Sequence, residues 1–217
     1  MAERKSRENI VVICAHPDDQ VFGAGGTIAK YAAEEKNVYT IVFSYGESSH
    51  PWLKKRVTAE MRKKECIEAN KVLGGKKPVF LGMDETKFKE DSESAKQAII
   101  RFLKSKKPSK VFTHSIDDPH PDHKAVYDIV METAESSGTK ADVYVFDVWN
   151  PVNLRKRHAP KMYVNTTATF GKKIEALNCF KSQIISLIAL ITSVYAGAFL
   201  NGLHSGTMLA EVFYKAK

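Results

Sequence analysis

Apolar residues occur along this chain in short runs that alternate with longer amphipathic stretches. Runs rich in β-branched and aromatic residues predict five strands in the first two thirds of the chain, at residues 9–15, 38–44, 78–81, 110–113 and 143–148. Between them, apolar residues recur at helical spacing and predict helices at residues 23–36, 53–73, 92–104 and 122–135. Strands that alternate with helices imply a parallel sheet with right-handed crossovers.

The pattern is weaker in the last third of the chain. We expect strands at residues 161–165 and 208–214 and a helix at residues 170–183. No internal repeat, low-complexity tract or linker divides the 217 residues, which predicts a single domain over residues 1–217. The predicted fold class is α/β: a three-layer α/β/α, Rossmann-like fold with a mostly parallel sheet, a core strand order of 3-2-1-4-5 and added C-terminal elements.

Two clusters of histidine and aspartate follow the first and fourth predicted strands. The first is Ala-His-Pro-Asp-Asp-Gln at residues 15–20, and the second is Asp-Asp-Pro-His-Pro-Asp-His at residues 117–123. Such polar groups at the end of a buried strand are costly unless something binds them. In a 3-2-1-4-5 sheet the first and fourth strands are neighbours, and ligands bind at their carboxyl ends. The two clusters are therefore expected to form one site.

The residue types in these clusters fit a metal-dependent hydrolase. His16, Asp19 and His123 supply two imidazoles and a carboxylate, a ligand set of zinc hydrolases that keep a fourth position open for water. Asp18, next to one of these ligands, is then a candidate base for the metal-activated water. Fe²⁺ or another divalent metal remains an open alternative to zinc.

Two further residues of the second cluster fit roles beside the metal. His120 is a candidate general acid or oxyanion stabiliser. Asp122 is a candidate hydrogen-bond partner that keeps His120 oriented or protonated. The isolated histidines His50, His114 and His158 are interpreted as ordinary surface or core residues.

A second enzyme class matches part of the same pattern. His16-x-Asp18 with the distant His123 fits the two-histidine, one-carboxylate triad of non-haem iron oxygenases. By analogy, those enzymes are built on all-β double-sheet barrels, whereas this chain alternates strands and helices. The oxygenase is therefore the weaker alternative.

The first cluster resembles the Ala-His-Pro-Asp-Asp-Glu signature of the LmbE-like, or PIG-L, deacetylases. These are zinc hydrolases that remove the acetyl group from N-acetylglucosaminyl compounds. The segment at residues 118–123 is similar to the second motif of the family, and the resemblance covers nearly the whole chain through further blocks at residues 46–47, 62–65, 81–84, 173–176, 182–183 and 210–213. The resemblance implies a zinc-dependent N-deacetylase whose substrate is an N-acetyl amino sugar conjugate.

Site residues follow from the resemblance position by position. It implies that the zinc ligands are His16, Asp19 and His123, that Asp18 is the base, and that His120 stabilises the tetrahedral intermediate with Asp122 behind it. Arg62 and Asp84 are similar to the arginine and aspartate with which the family contacts the sugar.

Two positions depart from the family pattern. Gln20 stands where the family has glutamate, and Asn165 stands where it has aspartate. Glutamine keeps the size of the side chain but lacks the charge. A non-catalytic sugar-binding protein of the same fold is therefore a further alternative.

Composition adds expectations about partners and compartment. The net charge is +8, but the lysines are scattered and form no stripe interleaved with aromatic residues, so nucleic-acid binding is not expected. Three widely spaced cysteines without a CxxC motif are typical of a reducing compartment. The polar, basic residues 1–9 do not resemble a secretory signal, so a cytoplasmic protein is expected.

One segment is apolar enough to complicate this picture. Residues 184–203 contain no charged residue and are long enough to span a bilayer. Serine, threonine, glycine and asparagine interrupt the segment, which favours a buried helix at a subunit interface and hence a homo-oligomer. A peripheral contact with a membrane or a lipid-linked substrate is the alternative, with which the positive net charge is compatible.

Overall fold

One mixed sheet forms the centre of the fold. In this computed structural model, which describes residues 7–85, 87–149 and 159–217, the sheet has seven strands in the order β3-β2-β1-β4-β5-β7-β6. The strands are β1 (Asn9–Cys14), β2 (Asn37–Val42), β3 (Val79–Phe80), β4 (Lys110–His114), β5 (Asp142–Phe146), β6 (Lys161–Asn165) and β7 (Ala210–Lys215). The first five strands are parallel, and β7 runs antiparallel to both β5 and β6.

Helices cover both faces of the sheet. They are α1 (Asp19–Ala33), α2 (Lys55–Val72), α3 (Ser92–Lys106), α4 (Pro121–Ser136), α5 (Phe170–Leu177) and α6 (Ile184–Ser205). Because successive strand residues point to opposite faces, Ile10 and Val12 of β1 belong to one apolar cluster, with residues of α1, α2, α5 and α6, while Val11 and Ile13 belong to another, with residues of α3 and α4. The predicted three-layer fold and its 3-2-1-4-5 core are confirmed.

The neighbouring strands β1 and β4 position the two polar clusters. Ile10 pairs with Lys110 and Val12 with Phe112 in parallel register, so both strands end at the same edge of the sheet. His16 follows the end of β1, and the chain after β4 leads through residues 115–120 into α4. The two clusters therefore meet at the carboxyl edge of the sheet, where the strand order reverses.

Helix α1 contains a break that the sequence pattern did not predict. The helix begins at Asp19, before the predicted start, and Ala24 has non-helical dihedral angles (φ −142°). After the break, the N–H groups of Gly26 and Thr27 donate to the carboxylate of Glu211, at 2.9 and 2.8 Å. Glu211 of β7 therefore caps the second half of α1, as an acceptor does at a helix N-terminus.

The charge of Glu211 is matched within the same buried network. Lys173 of α5 places its Nζ atom 2.7 Å from the Glu211 carboxylate and also donates to the carbonyl of Phe22. Both charged side chains are about 6% exposed. One ion pair thus joins α1, α5 and β7, and removal of one partner would leave the other charge buried and unpaired.

Helix α6 differs from its predicted environment. Within this chain it is not a buried helix, since Leu190, Ala198 and Gly202 are its only buried residues. Its inner side packs on the β6–β7 end of the sheet, and no further layer of the described chain covers its outer side. By length and composition α6 could cross a membrane, although those two criteria do not separate a membrane span from a surface helix.

We expect Glu211→Ala to lower the free energy of unfolding by about 3–5 kcal/mol, the usual cost of breaking a buried ion pair. Urea unfolding followed by circular dichroism measures this change. Glu175→Ala, an exposed change on α5, should stay within about 0.5 kcal/mol. The double variant Glu211→Ala/Lys173→Met should lose less than the sum of the two single changes. Additive losses would mean that the two side chains do not act as a pair.

Candidate active site

Three of the predicted site residues lie together at the sheet edge. The Nδ1 atom of His16 is 3.3 Å from Asp19 Oδ2, and the Nε2 atom of His123 is 3.3 Å from Asp19 Oδ1. One ligand atom from each of the three residues lies within 4.8 Å of the other two. Since tetrahedral ligands about 2.1 Å from a metal are roughly 3.4 Å apart, this spacing fits a small divalent ion.

The hydrogen bonding of His123 supports the same interpretation. This side chain is fully buried, and neither ring nitrogen makes a hydrogen bond of good geometry among the described residues: Nε2 lies 3.3 Å from Asp19 and Nδ1 lies 3.0 Å from Asp118. A buried nitrogen without a partner is costly, unless an ion or a proton shared with a nearby carboxylate satisfies it. The two histidines and the carboxylate are nitrogen and oxygen donors of the kind that zinc takes.

Charges in this cluster are strongly coupled. Burial opposes protonation of His16, but the carboxylates of Asp19 and Asp122 outweigh it and raise its pKa to about 10. Burial likewise opposes protonation of His123, whose pKa Asp19 and Asp118 raise to about 9. Burial alone would raise the pKa of Asp19, yet the surrounding histidines hold it well below the usual range. The site therefore holds positive charge next to Asp19, as protons or as a metal ion.

Asp118 supports His123 from the side opposite the cluster. Its carboxylate is 3.0 Å from His123 Nδ1 and accepts hydrogen bonds from the N–H groups of His120 and Val148. Burial would raise the pKa of Asp118, but the contact with His123 prevails and lowers it to about 2. A carboxylate on one imidazole nitrogen directs the other nitrogen toward a metal. Asp118 has no predicted role from the sequence, although it stands in the same motif as His123, five residues before it.

His114 is a second supporting residue that the sequence analysis undervalued. It ends β4, is fully buried, and stacks on His123 with 3.8 Å between ring centroids. Its Nε2 atom accepts a hydrogen bond from the N–H of Ala15 and lies 3.2 Å from Asp19 Oδ2. Burial, aided by the charge of His123, lowers the pKa of His114 to about 4. His114 is therefore a neutral core residue, as one of the two interpretations held, but it packs directly on the candidate ligands.

Asp18 forms a buried ion pair at the edge of the cluster. Arg62 Nη2 lies 2.8 Å from Asp18 Oδ1, and Arg62 Nη1 donates to the carbonyl of Gly46. Gly46 has φ +70°, a conformation that favours glycine, and a Cβ atom there would collide with the guanidinium group of Arg62. The predicted base and the predicted sugar-contacting arginine are thus direct partners.

His120 and Asp122 lie on the other side of the cluster. His120 Nδ1 accepts a hydrogen bond from the main-chain N–H of Asp122, so His120 carries its proton on Nε2. The Asp122 carboxylate lies 3.3 Å from His16 Nε2. Burial, together with the positive charges of His123 and His16, lowers the pKa of His120. The main chain of Asp122 therefore orients His120, while its carboxylate contacts His16.

An open pocket of about 320 Å³ gives access to this cluster. Asp84 is not among its lining residues: its carboxylate is 43% exposed and lies 3.6 Å from Lys55 and 3.5 Å from Lys87. The neighbouring Glu85 does line the pocket and accepts a hydrogen bond from the N–H of Ser48. The lining residues are His16, Asp18, Asp19, Phe22, Ser48, Ser49, Arg62, Glu85, His120, Asp122, Val148, Trp149, Gln183, Ser186 and Leu190.

Gln20 braces the loop that carries the first cluster. Its side chain is fully buried and lies outside the pocket. Its Nε2 atom donates to the carbonyl of Pro17 and contacts Cys66 Sγ, while Cys14 Sγ contacts its Oε1 atom. An ionised glutamate could not donate these hydrogen bonds. The amide of Gln20 thus fits its surroundings. The charge that a glutamate would carry here would lie behind the pocket and not in it.

The fold and the site together define an α/β protein with a candidate two-histidine, one-carboxylate metal centre at the carboxyl edge of its sheet. Residues 11–134 match the family model described as PIG-L: GlcNAc-PI de-N-acetylase. The chain belongs to this family, as its motifs predicted.

Relatives of known sequence carry two kinds of activity. The chain is 25% identical to 4-oxalmesaconate hydratase of Pseudomonas putida over 82% of this chain and 74% of that protein. It is 28% identical to the 1D-myo-inositol 2-acetamido-2-deoxy-alpha-D-glucopyranoside deacetylase of Rhodococcus jostii over 62% of this chain. That match spans 56% of the Rhodococcus protein, little more than half of its length.

Solved structures show the same fold. The N,N'-diacetylchitobiose deacetylase of Pyrococcus horikoshii superposes with a TM-score of 0.81 at 22% identity, over 97% of this chain and 84% of that chain. The 4-carboxy-2-hydroxymuconate hydratase of Pseudomonas putida superposes with a TM-score of 0.83 at 21% identity, over 97% and 96%. At these identities the structural similarity establishes the fold of this chain. The reaction has to be inferred from the residues of the site.

We expect His16→Ala to weaken zinc binding more than the roughly 10- to 100-fold that loss of a supporting residue costs. The measurement is metal content by mass spectrometry after equilibration with buffered zinc. His204→Ala changes an exposed histidine outside the cluster and should keep the metal content of the unchanged protein. Equal metal content in the His16 variant would exclude His16 as a ligand.

Proposed function

We propose that this protein is a zinc-dependent deacetylase that hydrolyses the N-acetyl group of an N-acetylglucosaminyl conjugate. The observation that carries the proposal is the arrangement around one pocket: the candidate ligands His16, Asp19 and His123, with Asp18 and His120 beside them. Family membership and the activities of several relatives support the same reaction.

His16, Asp19 and His123 would hold the metal in this proposal. The bound ion would polarise the acetyl carbonyl and lower the pKa of a water molecule. Two imidazoles and one carboxylate suit zinc, and Fe²⁺ or another divalent metal can take the same donors. Asp118 and His114 keep the ligands in place through the contacts already described.

Asp18 is the proposed base. It lines the pocket next to the ligand Asp19, and Arg62 engages its Oδ1 atom, which leaves Oδ2 for the proton of the water. The water oxygen forms a bond to the acetyl carbon while its proton passes to Asp18. The bond between carbon and nitrogen then breaks, and the nitrogen takes up a proton. The products are acetate and the free amino sugar.

His120 is proposed to stabilise the negative charge that develops on the acetyl oxygen. Because its Nδ1 atom accepts the N–H of Asp122, its Nε2–H is the donor available to the substrate. Asp122 is proposed as a positioning residue that acts through its main chain on His120 and through its carboxylate on His16.

The polar pocket wall fits a sugar. Arg62 and Glu85 can donate to and accept from sugar hydroxyl groups, and they lie on the same side of the pocket as the Ser48–Ser49 segment. Asp84, for which the resemblance implied a sugar contact, lies outside the lining residues. A cytoplasmic location, the absence of nucleic acid as a partner, a homo-oligomer and contact with a lipid-linked substrate all remain predictions.

A hydratase is the second candidate. The relative of Pseudomonas putida with this activity matches more of this chain than the Rhodococcus deacetylase does. Addition of water to a carbon–carbon double bond also needs an activated water and a base. A non-catalytic sugar-binding protein is the third candidate. Three measurements separate these candidates. A deacetylase releases acetate, and a hydratase removes the ultraviolet absorbance of a conjugated tricarboxylate. A sugar-binding protein loaded with zinc is inactive on both substrate panels.

We expect Asp18→Asn to retain zinc but to lower kcat at least about 100-fold, the scale expected of a general base. Acetate release from N-acetylglucosaminyl substrates and metal content are measured on the same preparations. Asp128→Asn, an exposed change on α4, serves as the control and should leave both quantities unchanged. Loss of zinc from the Asp18 variant would mean that the roles of Asp18 and Asp19 are interchanged.

We expect Glu85→Gln to raise KM about 10-fold, because a hydrogen bond from a sugar hydroxyl to a charged carboxylate becomes a weaker bond to a neutral amide oxygen. The matched change Asp84→Asn should alter KM by less than about twofold, since its carboxylate lies outside the pocket. A larger rise in KM for Asp84→Asn than for Glu85→Gln would mean that Asp84, and not Glu85, contacts the sugar. Steady-state kinetics on one substrate decides between the two carboxylates.

A further inference from the structure

The outer face of α6 exposes large apolar side chains in a regular row. Ile185 is 77% exposed, Ile188 67%, Tyr195 49% and Phe199 51%, and the smaller Thr192 between them is exposed as well. We call these five residues the α6 seam. Their intervals are three, four, three and four residues, which is the alternation by which one helix packs along another.

The area of this face is large for a monomer. With roughly 200 Å² for a fully exposed large side chain, the four large seam residues leave on the order of 500 Å² open to solvent, and the exposed apolar residues beside the seam bring the total to on the order of 900 Å². Those neighbours are Ile184, Leu200, Leu203 and Met208. The largest apolar patch of a typical monomer is about 300–600 Å². Each partner in a stable interface contributes about 800 Å². The face therefore has the size of one half of an interface.

Charge distinguishes a protein partner from a lipid surface. Residues 182–210 contain no Lys, Arg, Asp or Glu, in a chain whose net charge is +8. A helix that lies on an anionic membrane normally carries lysine or arginine along its polar face, and α6 has neither. Two copies of this basic chain would repel each other over most of their surface, but not where both are uncharged.

We propose that the α6 seam pairs with the α6 seam of a second copy of this chain in a two-fold symmetric, antiparallel helix pair. A two-fold axis requires that one patch be complementary to itself, and an uncharged apolar row meets that condition. Thr192 lies at the middle of the seam, where its small side chain lets two helix backbones approach. The larger side chains on either side of it then pack against their counterparts on the other copy.

The same helix also contributes to the pocket. Ser186 and Leu190 line the pocket from the side of α6 opposite the seam. An antiparallel pair brings the C-terminal end of the second copy's α6 beside Ile185, the residue before Ser186. The proposal does not depend on the deacetylase reaction, because the seam is defined by exposure and spacing alone.

Sedimentation velocity of the full chain tests the proposal. We expect the unchanged protein to have about twice the mass of 24.3 kDa. Ile188→Asp/Tyr195→Asp should raise the dimer dissociation constant at least about 100-fold, because four carboxylates would be buried per pair. Trp52→Asp/Val57→Asp changes two apolar residues of similar exposure away from α6 and should remain dimeric. A monomeric unchanged protein, or a dimer that the seam variant leaves intact, would overturn the proposal.

Oxidative cross-linking provides a measurement on a chain that keeps the four large apolar residues of the seam. Thr192→Cys in a Cys179→Ser background, treated with oxidised glutathione, should form a covalent dimer, since Cys14 and Cys66 are buried. Ser94→Cys on α3 in the same background is the control and should stay monomeric on a denaturing gel. The proposal would be wrong if Thr192→Cys formed no covalent dimer. It would also be wrong if the protein were monomeric and floated with anionic vesicles, because a membrane would then cover this face.

Discussion

The buried carboxylate of Asp19 is the interaction on which the site depends. It faces three imidazoles, those of His16, His114 and His123, and also accepts the main-chain N–H of His16. Asp19 begins α1, so the helix dipole favours its negative charge. Because Asp19 is 3% exposed, water cannot compensate its charge, and His16 and His123 have to hold protons or share a metal ion, while His114 stays neutral. The neighbours of Asp19 come from β1, β4 and α4, which only this strand order brings together.

Local patterns were sufficient for the fold and for the place of the site. Apolar periodicity separates strands from helices, and a polar motif at a strand end can be read without tertiary information. The family resemblance implied a sugar contact for Asp84, and the sequence could not show that Glu85 lines the pocket instead. The side on which each carboxylate lies depends on contacts with Lys55, Lys87 and Ser48. The break in α1 was equally hidden, since its acceptor, Glu211, lies 185 residues from Gly26.

Supporting residues show why motif reading finds ligands more easily than it finds their environment. His114 resembles many core histidines in sequence, and only its stacking on His123 reveals a role. Gln20 illustrates the converse. Its departure from the family glutamate raised doubt about activity, yet its amide satisfies the carbonyl of Pro17 behind the pocket. A change of charge there alters the bracing of a loop, whereas a change at Asp19 alters the candidate metal centre itself.

The composition of α6 does not predict what surrounds the helix. A core helix, a membrane span and an interface helix can all have twenty uncharged residues, and the chain alone does not separate them. What separates them is which residues remain exposed after the inner side has packed on the sheet. The side chains of α6 that remain exposed include the seam, whose residues are spaced three and four apart, as in contacts between two helices. Helix α6 also lacks the basic residues that hold a helix on anionic lipid. After packing on the sheet, α6 thus has one side that lines the pocket and an opposite side that is an exposed apolar surface.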